Sequence, residues 1–176
     1  MAAIISLLRG VNVGGHNKIK MEELRALYES LELREPQTYV QSGNVVFSSK
    51  ERNLATLAGK IEDAIEKKCG FCPEVVLRTV SEMRDVIARN PFAKRSGIDP
   101  GKLIVFFLTR DPGQFAITTE REEVHFRGRE LYIYFPDGMG RSKLVPALTR
   151  ALKNSGTARN WNTVTKLLAM AENLER

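Results

Sequence analysis

Cysteine, histidine and tryptophan are scarce in this chain: two, two and one among 176 residues. Cys69 and Cys72 form a Cys-x-x-Cys with no further cysteine to complete a zinc site. Neither His16 nor His125 stands at ligand spacing, so no metal is expected. Redox proteins place Cys-x-x-Cys at the start of a helix, whose positive end lowers the thiol pKa. Here the motif follows a predicted helix, where the dipole disfavours a thiolate. Both cysteines are therefore read as reduced packing residues. Long apolar runs are missing too. The longest, such as Leu103–Leu108, are far too short to span a membrane. The first residues, Met1–Arg9, have no basic region ahead of their apolar run, as a signal peptide requires. They are read as a first strand, and the compartment as cytoplasmic. No paired-carboxylate or cofactor fingerprint stands out, and no cofactor is expected.

What is present is an ordinary globular composition, 43% hydrophobic and 27% charged. The length suffices to bury a core without disulfides. The formal net charge is +6, and it is uneven. Residues 1–80 carry 11 basic and 10 acidic side chains, while residues 81–176 carry 16 and 11. A basic half is compatible with a polyanionic partner, although no Lys/Arg run concentrates the charge.

The apolar pattern predicts a duplicated α+β architecture. Ala3–Leu8 reads as a strand. Met21–Leu33 has helical spacing at Met21, Leu24, Leu27, Tyr28 and Leu31. Thr38–Val40 and Val45–Ser48 flank Ser42-Gly43-Asn44, a hairpin signal. Asn53–Lys68 is a second helix, with Asn53 as N-cap and Gly70 as terminator. Glu74–Thr79 is a strand. This order, β-α-β-β-α-β, is the ferredoxin-like unit. Ser81–Arg89 is a connecting helix capped by Ser81, and the stretch up to Gly101 is a linker. The second half repeats the order. Its strands are Leu103–Thr109, Glu122–Phe126, Leu131–Phe135 and Thr157–Trp161. Its helices are Pro112–Thr118, Leu144–Lys153 and Asn162–Asn173, the last capped by Asn162. Alternation along the 122–126 and 131–135 hairpin predicts one solvated face. The expected division is an N-terminal subdomain over 1–80, a connection over 81–101 and a C-terminal subdomain over 102–176.

Two pairs of polar clusters lie just beyond apolar strands, where sites are usually built. In this topology the first and third strands are antiparallel neighbours. The loop Arg9-Gly10-Val11-Asn12-Val13-Gly14-Gly15 therefore shares a rim with Gln41-Ser42-Gly43-Asn44. Its glycines fit neither the dinucleotide fingerprint nor a P-loop, and they point to a wide turn with positive φ at Gly14 or Gly15. Gln41–Asn44 lacks the geometry of a nucleophile elbow.

In the second half, Arg141, Ser142 and Lys143 are placed on one rim with Arg159, Asn160, Trp161 and Asn162. Ser142 as an N-cap between two bases is an anion site by construction. Trp161 beside Arg159 and two Asn is suited to stacking a base or a sugar. Each cluster also has a structural reading: a capped helix, a core tryptophan, or amides that satisfy loop backbone.

These residues carry a family resemblance. Leu8–Gly15, Met21-Glu22-Glu23-Leu24-Arg25, and Thr38 through Phe47 resemble domain-of-unknown-function family 1697, found mostly in bacteria. Thr157–Val164 resembles that family's second signature. The resemblance implies two ferredoxin-like subdomains and no established activity. Three functions follow from the residues. The first is a binding module for an anionic ligand, a nucleotide or single-stranded nucleic acid, using Arg9, Asn12, Gln41, Ser42, Asn44, Arg141, Ser142, Lys143, Arg159, Asn160, Trp161 and Asn162. The second is an enzyme on a phosphorylated or carboxylated small molecule, with Arg9, Arg141 and Arg159 as clamps and Ser42, Tyr39 or His16 handling protons. The third is a purely structural role for these motifs. A membrane partner is not expected.

Overall fold

A computed structural model describes all residues, Met1–Arg176. It contains two four-stranded antiparallel sheets and five helices. The chain divides into two compact units, residues 1–84 with 166–176, and residues 85–165.

In the first unit, β1 (Ala2–Leu8), β2 (Arg34–Tyr39), β3 (Asn44–Ser49) and β4 (Val75–Thr79) lie in the order β2-β3-β1-β4. Two helices, α1 (Met21–Ser30) and α2 (Leu54–Cys69), cover one face. That face buries Ile4, Leu8, Val45, Phe47, Val75 and Leu77 against Leu24, Leu27, Tyr28, Leu57, Ile61 and Ile65. The one polar side chain that β1 sends there, Ser6, hydrogen-bonds the Tyr28 hydroxyl at 2.8 Å. Asn53 caps α2 by accepting from the Thr56 N–H, and Gly70 ends it at φ +79. The opposite face of the sheet, with Ala3, Ile5, Leu7, Val46, Val76 and Arg78, is buried as well. A strand covered on both faces reads as a near-continuous apolar run, and β1 is one, broken only by Ser6.

The second unit has the same strand order: β5 (Leu103–Phe107), β6 (Glu123–Arg127), β7 (Glu130–Tyr134) and β8 (Thr157–Asn160) lie as β6-β7-β5-β8. Residues 108–122 form no helix, contrary to the expectation for Pro112–Thr118. The segment crosses the sheet in irregular conformation, with Phe115 and Ile117 packed on the core and Phe115 edge-on to Phe126. Gly113, at φ +69 in what would be the first turn, is left-handed and cannot continue a right-handed helix. Only α4 (Leu144–Ala151) covers this face as a helix. The hairpin expected to have one solvated face does not: successive residues of β7, which point to opposite faces of the sheet, are buried from Glu130 to Ile133, and those of β6 are half-buried from Glu123 to Phe126.

The unit boundary falls inside α3 (Val80–Ala88) and again inside α5 (Trp161–Leu174). This differs from the expected division. The 81–101 segment is no separate linker, and Lys166–Arg176 groups with the first unit. Two caps also differ. Thr79 and Glu82 form a capping box on α3 in place of Ser81, and Asn160 caps α5 in place of Asn162.

Candidate functional site

The first rim is assembled from the exit of β1 and the β2–β3 hairpin. The Leu8 N–H donates to Gly43 O and the Arg9 N–H to Glu74 O, both at 2.9 Å. Gly43 has φ +81, and a Cβ there would lie 2.8 Å from the Leu8 Cβ, so glycine alone fits the crossing. Asn12 adopts φ 55 and uses its whole amide. Its Nδ2 donates to Gln41 O at 2.8 Å and to Ile19 O at 3.0 Å, and its Oδ1 accepts from the Ile19 N–H at 2.9 Å. Asn12 thus acts as a surrogate peptide group, pinning the loop to itself and to the hairpin. Asn44 is fully buried and donates to Tyr39 O and to the Ser42 hydroxyl. Gly14 and Gly15 both have positive φ, as the wide turn requires.

This framework leaves a groove of about 550 Å3, lined by Asn12, Lys18, Lys20, Met21, Glu23 and Gln41 among others. Lys18, Lys20 and Gln41 are exposed. Lys20 is the N-cap of α1 and offers no side-chain cap, so the first-turn amides of that helix have no intrahelical partner beside the groove. Sequence reasoning missed Lys18 and Lys20. Their signal was available, as two bases immediately ahead of a periodic apolar segment. A larger depression, about 1480 Å3, lies at the other end of the unit. Glu29, Glu32, Glu35, Glu51 and Glu175 outnumber Arg34, Lys50 and Lys60 along it, which disfavours an anion.

The second pair of clusters is divided between the two edges of its sheet. The Ser142 hydroxyl accepts from the Leu144 N–H at the start of α4 and donates to the Glu122 carboxylate. That hydrogen bond, with backbone N–H groups behind it, holds the Glu122 carboxyl below the usual carboxylate range. Lys143 pairs with Glu120 at 3.2 Å, and Arg141 is exposed. The start of α4 is therefore already answered by the chain's own carboxylates, and the depression there is only about 70 Å3.

Ser142 stands beside β6, whereas Arg159 lies on β8, at the other edge of the sheet. Arg159 is buried and donates to the Thr157 hydroxyl at 2.6 Å and to Ala158 O at 2.9 Å. Burial pushes its guanidinium down to about 10. It pairs with Val105 in the sheet register, as the buried Arg78 pairs with Ile5 in the first unit. Trp161 is half-buried at the first position of α5, with its main-chain N–H donating to Pro100 O. Asn160 caps that helix, and Asn162 is exposed.

His16 is exposed in the first loop, its main-chain N–H donating to Val13 O. Both cysteines are free. Their thiols sit above the ordinary cysteine value, mainly through desolvation. Glu23 adds to this at Cys69; Glu66, Glu62 and Asp63 add to it at Cys72. Thiols held protonated are weak nucleophiles. No three His, Cys, Asp or Glu side chains converge as a metal ion would require, and no helix is long and apolar enough to cross a membrane.

No curated protein matches the chain. A solved structure of the conserved bacterial protein SP0830 from Streptococcus pneumoniae is similar to it, with a TM-score of 0.73 at 22% identity. That similarity covers 97% of this chain and 98% of the other, and at this identity it speaks for the fold alone. The family model described as "Protein of unknown function (DUF1697)" matches residues 1–132. The match takes in the first rim and its groove, while the Thr157–Val164 motif falls outside it. Over three quarters of its length, therefore, from β1 to the middle of β7, this chain belongs to the DUF1697 family.

Proposed function

We propose that this protein binds an anionic small molecule of nucleotide size in the first-rim groove. The supporting observation is the groove itself. Its volume of about 550 Å3 falls within the ordinary range for small-molecule sites. Lys18 and Lys20 flank it, and the uncapped start of α1 adds amide donors and the positive end of a helix dipole. Gln41 supplies a further polar contact, while Asn12, and Asn44 through Tyr39 O and the Ser42 hydroxyl, hold the loop and hairpin in place. On the same reading the two units are copies of one ferredoxin-like unit. The second has kept the strand order and replaced its first helix by an irregular strap. Arg159, Asn160 and Trp161 build its β8–α5 corner and are not ligand contacts.

Calorimetric titration with nucleoside mono-, di- and triphosphates tests this reading. Tightening with each added phosphate, and at least a tenfold loss in the Lys18→Ala/Lys20→Ala double variant, is the expected result. Heats that are absent, or unchanged in the variant, would refute the groove as the site.

A further inference from the structure

The groove of the first unit lies where β1 ends, beside the β2–β3 hairpin. The equivalent rim of the second unit is not the one marked by Arg141–Lys143 and Arg159–Asn162. It lies where β5 ends. There Leu108 donates its N–H to Arg129 O, as Leu8 does to Gly43 O in the first unit. Phe107 pairs with Glu130 on one side and with Thr157 on the other. Arg127 pairs with Glu130 across the hairpin. Gly156 lies against the same corner, since a Cβ on it would stand 2.3 Å from Leu108 Cδ2. Three chain segments therefore converge: residues 108–111, the hairpin turn 127–130, and the exit of α4 through 150–157.

These segments carry Arg110, Arg127, Arg150 and Lys153, all exposed, and a half-buried Arg129. None of the four exposed cations is paired with a carboxylate. Arg127 donates to its neighbour's carbonyl, Phe126 O. The acids on this rim are both engaged. Asp111 accepts from the Gly113 N–H, and the buried Glu130 lies 3.7 Å from Arg89. Much of the excess positive charge of the second half is thus gathered on one edge. From β6 to β8 the rim spans three inter-strand spacings, about 14 Å. That is the length over which a nucleic-acid strand presents about four phosphates, at roughly 3.4 Å of rise each. Three of the four exposed cations are guanidinium groups, whose flat fork matches phosphate oxygens. No exposed aromatic side chain stands on this rim, so nothing there is suited to stacking a base.

We infer that the β5–hairpin–α4 rim of the second unit is a phosphate-backbone surface for nucleic acid, with Arg110, Arg127, Arg150 and Lys153 as its contacts. The recognition is of charge spacing, not base identity. This surface is separate from the first-rim groove and does not depend on it.

Fluorescence anisotropy with labelled 20-mers, two unrelated sequences, each single-stranded and duplex, tests the inference at several salt concentrations. The full-length protein is expected to bind both sequences alike, with log affinity falling linearly against log salt by about 0.9 for each duplex phosphate neutralised. Arg110→Ala/Arg127→Ala/Arg150→Ala should weaken binding at least tenfold and reduce the salt slope by about three. Lys153→Glu alone should weaken it further than neutralisation at one site. Far-ultraviolet circular dichroism confirms that these exposed changes leave the fold intact. Absent binding by the natural protein at low salt, an unaffected triple variant, or a strong sequence preference would each overturn the inference. So would free tripolyphosphate competing at the same charge concentration as the oligonucleotide, which would mark a small-anion site. Loss of oligonucleotide binding in Lys18→Ala/Lys20→Ala with the arginine variant unaffected would move the interaction to the groove and sink this surface.

Discussion

Asn12 Nδ2 and the main-chain oxygen of Gln41 lie 2.8 Å apart across 29 residues of chain. This bond, with the two Asn12 makes to Ile19, joins the loop after β1 to the β2–β3 hairpin and forms one wall of the groove. Two properties of asparagine are in use, its tolerance of positive φ and its peptide-like amide. Asn12→Ala should lose both and cost about 2–4 kcal/mol. Asn12→Gly keeps the backbone and loses only the amide, so about 1–3 kcal/mol is expected. Urea denaturation of the three proteins checks the order, and equal stability of the two variants would show that the amide alone matters.

Two glycines with nearly the same φ make a contrast. Gly43, at φ +81, crosses Leu8 so closely that a methyl group would overlap its Cβ. Gly70, at φ +79, ends α2 with open space around it. Gly70→Ala should cost only the left-handed conformation, about 1–2 kcal/mol. Gly43→Ala adds a clash that neither strand can relieve cheaply, and about 2–5 kcal/mol is expected. Thermal denaturation followed by circular dichroism reads the difference. It should also show Gly43→Ala impairing the groove, because the hairpin must shift.

The α5 cap can be tested with two neighbouring asparagines. Asn160 accepts from the Thr163 N–H, while Asn162 lies one residue into the helix and is exposed. Asn160→Ala is expected to cost about 1 kcal/mol. Asn162→Ala should be neutral to slightly stabilising, since alanine is the better helix former. The opposite order, read by chemical denaturation, would place the cap at Asn162.

Acid stability has an identifiable contributor. The Arg95 guanidinium clasps Glu123 through both carboxylate oxygens, and His125 Nε2 adds a contact at 3.0 Å. Arg95 first, then His125, bring the Glu123 carboxyl down to about 2 from the model-peptide value of 4.5. A carboxyl whose folded pKa is depressed contributes stability above its unfolded pKa and loses it as pH falls through the folded one. The contribution should be constant above pH 5 and fade between 4.5 and about 2. The Tm deficit of Arg95→Ala should be largest above pH 5 and shrink as pH falls through that window, and a deficit independent of pH would refute the assignment. Because Glu123 is 40% exposed, solvent screening keeps the effect small.

Much of the local structure was legible in the chain. Helical spacing marked α1 and α2, Asn53 and Gly70 bracketed α2, and Ser42-Gly43-Asn44 marked the hairpin. Each is a signal carried by residues a few positions apart. The missing helix at Pro112–Thr118 was misread because it was inferred from the repeat and not from its own residues, which include proline and glycine. Asn162 was mistaken for a cap because Asn160 and Asn162 are chemically identical, and only backbone geometry separates them.

The candidate site divided in the same way. The sequence by itself determined that the β1 loop and the β2–β3 hairpin share a rim, because strand alternation and turn signals fix that topology. It also determined that the second half would be basic. Only the tertiary structure decided which polar side chains are spent inside the fold. Asn12 and Asn44 satisfy backbone, Ser142 and Lys143 meet Glu122 and Glu120, and Arg159 is buried within β8. Those outcomes depend on partners 5 to 29 positions away and on which face of a strand a residue occupies. Lys18, Lys20 and the arginines of the β5 rim carry no sequence motif. They became candidates once folding had placed them together and left them exposed.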